Sequence, residues 1–274
     1  MEKGILYLVA TPIGNLEDMT FRAIKTLKEV DLILAEDTRK TMHLLNHFEI
    51  SNKLISFYRH NEGTKIEHVI KLLNEGQNLA LVSDAGTPAI SDPGEDLVKA
   101  AINEGIKIIP IPGSVAFIQG LIGSGFDTTR FAFEGFLSIN KRVRRERLEE
   151  LKNECRTMIF YEAPHKLKRT LTDLLNTFGE ERRIVLAREI TKVYEEYLRF
   201  TLKEAVEYYE EKLIKGEFVI VLEGKEKEDP TVSEESVEEL MKKYLDEGFD
   251  KKEAMKKVAK DKGMTKSEVY KQLL

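Results

Sequence analysis

Residues 79–94 read LALVSDAGTPAISDPG, and a helical pattern, Glu95–Glu104, follows at once. The run Leu79–Ser83 is short, apolar and closed by turn residues, the signature of a strand buried on both faces. A strand that passes through a Gly- and Pro-rich loop into a helix is half of a βαβ unit. The same beat runs through residues 1–118. The strand-like runs are Ile5–Ala10, Leu32–Ala35, Lys53–Phe57, Leu79–Ser83 and Ile106–Ile109. Each precedes a helical pattern: Thr20–Glu29, Lys40–Phe48, Lys65–Glu75, Glu95–Glu104 and Val115–Ile122. Thr64 with Glu67 has capping-box spacing. This rhythm predicts a parallel five-stranded sheet in an α/β domain, with ligands bound beyond the carboxyl ends of its strands.

A second α/β domain is expected over 119–225. Its strands are Phe131–Phe136, Thr157–Glu162, Arg183–Arg188, Tyr194–Thr201 and Glu217–Leu222, and its helices Val143–Asn153, Leu167–Phe178 and Lys203–Lys212. No helix separates the third and fourth strands, so this sheet should be mixed. Gly224–Pro230 reads as a charged linker. Residues 231–274 read as three short helices, a helical extension of helix-turn-helix type, capped at Ser233, Asp250 and Thr265. Val237, Leu240, Met241, Tyr244, Leu245, Ala254, Val258, Val269 and Leu273 are its expected core.

Composition narrows the class. Of 274 residues 42% are hydrophobic, with 17 Gly and 7 Pro, which excludes collagen-like and disordered chains. The longest apolar run, Ile5–Ala10, falls far short of the ~20 residues of a membrane span. No signal-peptide pattern surrounds it, so a soluble cytoplasmic protein is expected. The single cysteine excludes an internal disulfide and a thiolate metal site. Net charge is −5, but residues 226–250 are strongly acidic and 251–274 basic. A second basic cluster holds Lys141, Arg142, Arg144, Arg145 and Arg147. Either is an electrostatic footprint for phosphate or a solvated helix face.

The familiar nucleotide fingerprints are missing: no G-x-G-x-x-G follows the first strand and no Walker lysine follows a glycine loop. His43 and His47 have helical metal-ligand spacing but lack a third partner, and no metal is expected. The chemistry sits in the loops at the strand ends. Glu36, Asp37, Arg39 and Glu62 crowd one edge of the first sheet, and Gly and Pro let backbone approach a ligand closely.

Seven segments in order, ATPIGNLEDMTFRA (10–23), AEDTR (35–39), SDAGTPAISDPG (83–94), IPGSVA (111–116), FEGFL (133–137), FYEAPH (160–165) and REITK (188–192), resemble the tetrapyrrole (corrin/porphyrin) methylase superfamily. More narrowly they resemble its ribosomal small-subunit RNA cytidine 2′-O-methyltransferase branch. The likeness runs over about residues 4–224, and the tail resembles that branch's helical extension. Porphyrin enzymes usually carry G-x-G-P-G-D in the first loop and G-G-D-P in the fourth. Here Thr11–Asn15 and Ala85–Pro88 stand instead, as in the RNA branch. Ser138 stands where that branch usually has proline, a departure that touches the rigidity of its loop and not the function.

The resemblance implies two α/β domains, a cleft for S-adenosylmethionine, a homodimer and 16S ribosomal RNA in the small subunit as substrate. It places Pro12, Gly86, Thr87, Pro88, Ala89, Ile90, Ser114, Tyr161, Ala163, Glu217, Phe218 and Val219 around the cofactor. Asp84, Thr87 and Ser114 have the chemistry to hold its amino-acid end, and Tyr161 and Ala163 to flank adenine. A ribose hydroxyl is a poor acid and needs a proton acceptor. Asp37 is the first candidate and Glu36 the second, followed by Glu62 and His60. Asp37 is equally suited to capping the next helix. Arg39, Arg59 and Arg188 suit phosphate or ribose, although Arg188 has a structural ion pair with Glu189 as its alternative role. Arg142, Arg144, Arg145 and Arg147, with Lys266 and Lys271 of the tail, are expected to hold RNA. The rival readings are a tetrapyrrole C-methyltransferase and a non-catalytic RNA-binding assembly protein.

Overall fold

In a computed structural model of the chain, residues 2–58, 62–226, 233 and 235–273 are described, apart from the side chains of Glu62 and Thr64. Residues 1–225 form one compact unit and 226–274 another.

In the first unit, β1 (Ile5–Val9), β2 (Leu32–Ala35), β3 (Leu54–Ser56), β4 (Leu79–Val82) and β5 (Lys107–Ile111) make one sheet in the order β3-β2-β4-β1-β5. Every pairing in it is parallel. Side chains alternate between its faces as strand geometry requires. Ile33 and Ala35 of β2 join a core with Ala23, Leu27 and Leu45 on one face. Leu32 and Leu34 join Val69, Leu73, Leu97 and Ala101 on the other. Each fully buried leucine contributes roughly 1.5–3 kcal/mol of transfer free energy. The covering helices are α1 (Phe21–Glu29), α2 (Thr38–His47), α3 (Glu62–Asn74) and α4 (Glu95–Asn103). Helix α2 starts two residues before the expected Lys40, because the Asp37 carboxylate accepts the Arg39 amide and caps it there.

The second sheet holds β6 (Phe131–Phe136), β7 (Thr157–Glu162), β8 (Arg183–Arg188), β9 (Glu196–Thr201) and β10 (Phe218–Leu222) in the order β6-β7-β10-β8-β9. It is mixed: β6 and β7 are parallel and the other pairs antiparallel. The chain's last strand is its central one. Helices α6 (Lys141–Leu151), α7 (Leu167–Phe178) and α8 (Leu202–Tyr209) accompany it. Leu167, Leu171, Leu174 and Phe178 line the buried face of α7 at helical spacing. The Thr201–Glu204 capping box opens α8.

Helix α5 (Ala116–Ser124) follows the last strand of the first sheet but packs on the second. A Cβ on Gly120 would lie 2.6 Å from Val219 Cγ1. The division anticipated at residue 118 therefore falls inside a helix that ties the two sheets together.

The tail unit contains α9 (Val237–Asp246), α10 (Lys251–Asp261) and α11 (Lys266–Gln272). Val237, Leu240, Met241, Ala254, Met255, Val258, Ala259 and Val269 form its core. Two expectations need correction. The cap of α9 is Ser236, in a reciprocal box with Glu239, because Ser233 stands too far upstream. Leu245 is 44% exposed, pointing off the apolar stripe.

Candidate active site

Strands β1 and β4 are neighbours, so the loops at their carboxyl ends leave the sheet side by side. They are joined there by a two-way backbone bridge. Thr11 N donates to Gly86 O at 2.8 Å, and Gly86 N to Thr11 O at 3.0 Å. Gly86 has φ +87°, a left-handed conformation that disfavours side chains, and a Cβ there would stand 3.3 Å from Ile13 Cγ2. The Thr87 hydroxyl donates to Ser114 O at 3.2 Å, which draws in the loop after β5.

The loop after β2 brings its carboxylates to the same edge, but with different duties. Asp37 caps α2 and takes Arg39 Nη2 at 2.8 Å and Nε at 3.1 Å. The hydrogen bond from Arg39 holds its carboxyl down at about 2. Glu36 instead faces the cavity described below and accepts the Asp84 amide at 3.3 Å. Asp84 accepts the Asp37 amide at 2.9 Å and pairs with Lys40 Nζ at 2.8 Å. Of the two roles open to Asp37, the geometry shows the cap, and Glu36 is the carboxylate of this loop that lines the cavity. Arg59 and His60 lie outside the described residues, as does the Glu62 side chain.

The facing wall comes from the second sheet. The Tyr161 hydroxyl accepts the Phe117 amide at 3.2 Å, and burial pushes this phenol up to about 12. Glu189 and Glu217 hold Lys192 Nζ at 2.9 and 2.8 Å. Burial pulls the Lys192 ammonium down, but the two carboxylates outweigh it and keep its affinity for the proton above the ordinary lysine range. Arg188 forms a structural ion pair, but with Glu196 at 2.7 Å rather than with the neighbouring Glu189, which takes Lys192, and it donates to Lys215 O.

These walls enclose a cavity of about 400 Å³, within the size range of small-molecule sites. Among the expected cofactor residues, Asp84, Gly86, Thr87, Ile90, Tyr161, Ala163, Glu217, Phe218 and Val219 line it. Pro12 lines a smaller neighbouring hollow that shares Asp84. Pro88, Ala89 and Ser114 are in neither lining. The sequence reading missed Ile13, Phe136, Glu189, Ile190 and Lys192 as liners. The segment REITK, at the carboxyl end of β8, was the signal for the last three.

The lining suits S-adenosylmethionine. Ile13, Ile90, Val115, Phe136 and Tyr161 offer apolar surface to a flat base. Glu36 and Asp92 bring carboxylates to the lining for the sulfonium and ammonium, while the left-handed backbone at Gly86 leaves a cradle that a Cβ would fill.

The basic cluster divides. Arg144 is 5% exposed and donates to Asp173 and Thr170, so it cannot meet RNA, because its guanidinium is committed inside the fold. Arg147 pairs with Glu134 and Glu150. Arg142 is exposed with a single i,i+4 partner, Glu146, and Arg145 is exposed. In the tail, Lys271 is exposed and Lys266 half-buried.

Residues 5–206 match the Tetrapyrrole (Corrin/Porphyrin) Methylases. The chain is 54% identical to a ribosomal RNA small subunit methyltransferase I of Halalkalibacterium halodurans, over 98% of this chain and 94% of that protein. It is 49% identical to the protein of that name in Synechocystis, over 97% and 96%. A solved uroporphyrin-III C-methyl transferase from Thermus thermophilus, complexed with S-adenyl homocysteine, superposes with a TM-score of 0.56 at 16% identity, over 81% of this chain and 98% of that one. That last likeness is one of fold, and the near full-length identities carry the assignment further: the chain belongs to the tetrapyrrole (corrin/porphyrin) methylase family, in its ribosomal RNA small subunit methyltransferase I branch.

Proposed function

We propose that this chain transfers the methyl group of S-adenosylmethionine to the 2′-oxygen of a cytidine ribose in 16S ribosomal RNA. The observation that carries the reading is the cavity at the loop ends of both sheets, walled by seven-segment family chemistry in a chain with near full-length methyltransferase relatives. When bound, the cofactor supplies an electrophilic methyl carbon on a sulfonium.

The chain's own residues then have two tasks. They hold the acceptor oxygen in line, which is where most of the rate enhancement in such displacements arises. Glu36 takes the hydroxyl proton, being the carboxylate of the β2 loop that faces the cavity without an arginine partner. Arg142 and Arg145 on α6, with Lys266 and Lys271 in the tail, meet phosphates and supply affinity more than sequence choice. No described helix is long and apolar enough to cross a membrane. The protein works in the cytoplasm, as a homodimer, on the assembled small subunit.

The test offers labelled S-adenosylmethionine with unmodified small subunits, naked 16S RNA or uroporphyrinogen. Label on one cytidine 2′-oxygen of the subunit is expected. Label on uroporphyrinogen alone overturns the RNA reading in favour of tetrapyrrole C-methylation.

A further inference from the structure

From Glu162, which lines the cavity between Tyr161 and Ala163, a chain of polar contacts runs into the fold. Glu162, Thr170 and Arg144 are 4%, 1% and 5% exposed. Glu162 Oε1 accepts the Ala163 amide at 2.9 Å, and its Oε2 accepts the Thr170 hydroxyl. Thr170 Oγ1 in turn accepts Arg144 Nη2 at 2.8 Å. Arg144 Nε donates to Asp173 Oδ2 at 2.6 Å. The chain joins α6, α7 and the end of β7.

Its polarity is fixed by chemistry. A guanidinium only donates, so the single proton of Thr170 must point to Glu162. The buried carboxylate thus has a cation one hydroxyl away, and both of its oxygens are engaged. Keeping a carboxylate in the interior is costly, and an apolar residue of similar volume commonly serves stability as well or better. What the carboxylate does that an apolar residue cannot is take the Ala163 amide. Ala163 lies past the last ladder pair of β7, Glu162 with Phe218, and its extended backbone (ψ 148°) leads into Pro164. Without Glu162 this N–H loses its carboxylate partner. With it, the N–H is engaged, and the Ala163 carbonyl is engaged by Lys166 N at 3.0 Å.

We infer that Glu162, oriented by Arg144 through Thr170, is a positioning residue that sets the Tyr161–Ala163 wall for the cofactor. The inference rests on the cofactor site proposed above. It gives Arg144, on the face of α6 away from solvent, a role in cofactor affinity in place of RNA contact.

The test is calorimetric titration of the full chain with S-adenosylhomocysteine, alongside its Tm. Thr170→Val keeps the shape and removes both links, whereas Thr170→Ser keeps both. Thr170→Val is expected to weaken Kd about tenfold, the scale seen when residues behind a binding group are lost, and Thr170→Ser to restore it. In turnover, KM for S-adenosylmethionine should rise more than kcat falls. Should Thr170→Val fail to fold, Arg144→Lys serves, since an ammonium cannot reach Asp173 and Thr170 together. A variant with lowered Tm but wild-type affinity overturns the inference alone. A wild type that takes no S-adenosylhomocysteine overturns the cofactor reading and this inference with it.

Discussion

Asp37 and Arg39 face one another two residues apart, their side chains joined by contacts of 2.8 and 3.1 Å while the same carboxylate receives the Arg39 amide at 2.9 Å. A carboxylate so engaged is a poor base, because its affinity for a proton is held at about 2. Asp37→Asn should therefore keep methylation within about threefold of wild type, its effect limited to the cap. Glu36→Gln should lower the single-turnover rate by roughly 10²-fold or more. Equal losses in both variants would refute this division.

Arg144 and Arg145 are neighbours in sequence with opposite environments. Arg144→Ala leaves the buried Glu162 without its nearby cation and Asp173 with only the longer Arg169 contact at 3.8 Å, and should cost ~3 kcal/mol in denaturant unfolding. Arg145→Ala should leave stability within ~0.5 kcal/mol. Its effect belongs to RNA: weaker binding, with the slope of log K on log salt reduced by about 1.

Gly86→Ala forces a side chain onto a backbone at φ +87° beside Ile13. The expected outcome is a loss of roughly 1–3 kcal/mol of stability and a weaker S-adenosylhomocysteine complex in the same titration. Unchanged cofactor affinity would remove this bridge from the site.

The Tyr161 phenol is raised by burial from 10.0 to about 12. A group whose folded proton affinity is raised stabilises the fold fully below its unfolded value and loses that contribution as pH rises through the folded one. Between about pH 10 and 12, then, Tyr161→Phe should lose less stability than wild type. Tyrosinate absorbance should show one fewer late-ionising phenol in the variant.

The strands were legible because their apolar runs are short and bounded by turn residues: β2, β4, β6, β7 and β8 agree with the sequence reading to within a residue. So was the loop edge holding Glu36, Asp84 and Gly86, since strand-to-helix connections carry ligands in parallel sheets. What was not legible depends on direction. Sequence spacing put Arg144 in a basic cluster, but only the helix phase against α7 shows that it turns inward while Arg145 turns out. Likewise REITK carries the family likeness, but its local pattern does not place Glu189 and Lys192 in the cavity. Their place in the cavity comes from β8 pairing with β10, a contact no local pattern encodes.

That central place of β10 has a bearing on how the enzyme is made. Strands β7 and β8 both wait for residues 218–222 to lie between them, and the cofactor cavity waits for Glu217, Phe218 and Val219. During translation the first sheet has all its strands once residue 111 has emerged, yet the methyl-donor pocket can close only after a further hundred or so residues. If the cavity is the donor site as proposed, a nascent chain holds the donor only once both sheets are assembled, and a chain truncated before β10 is expected to be inactive.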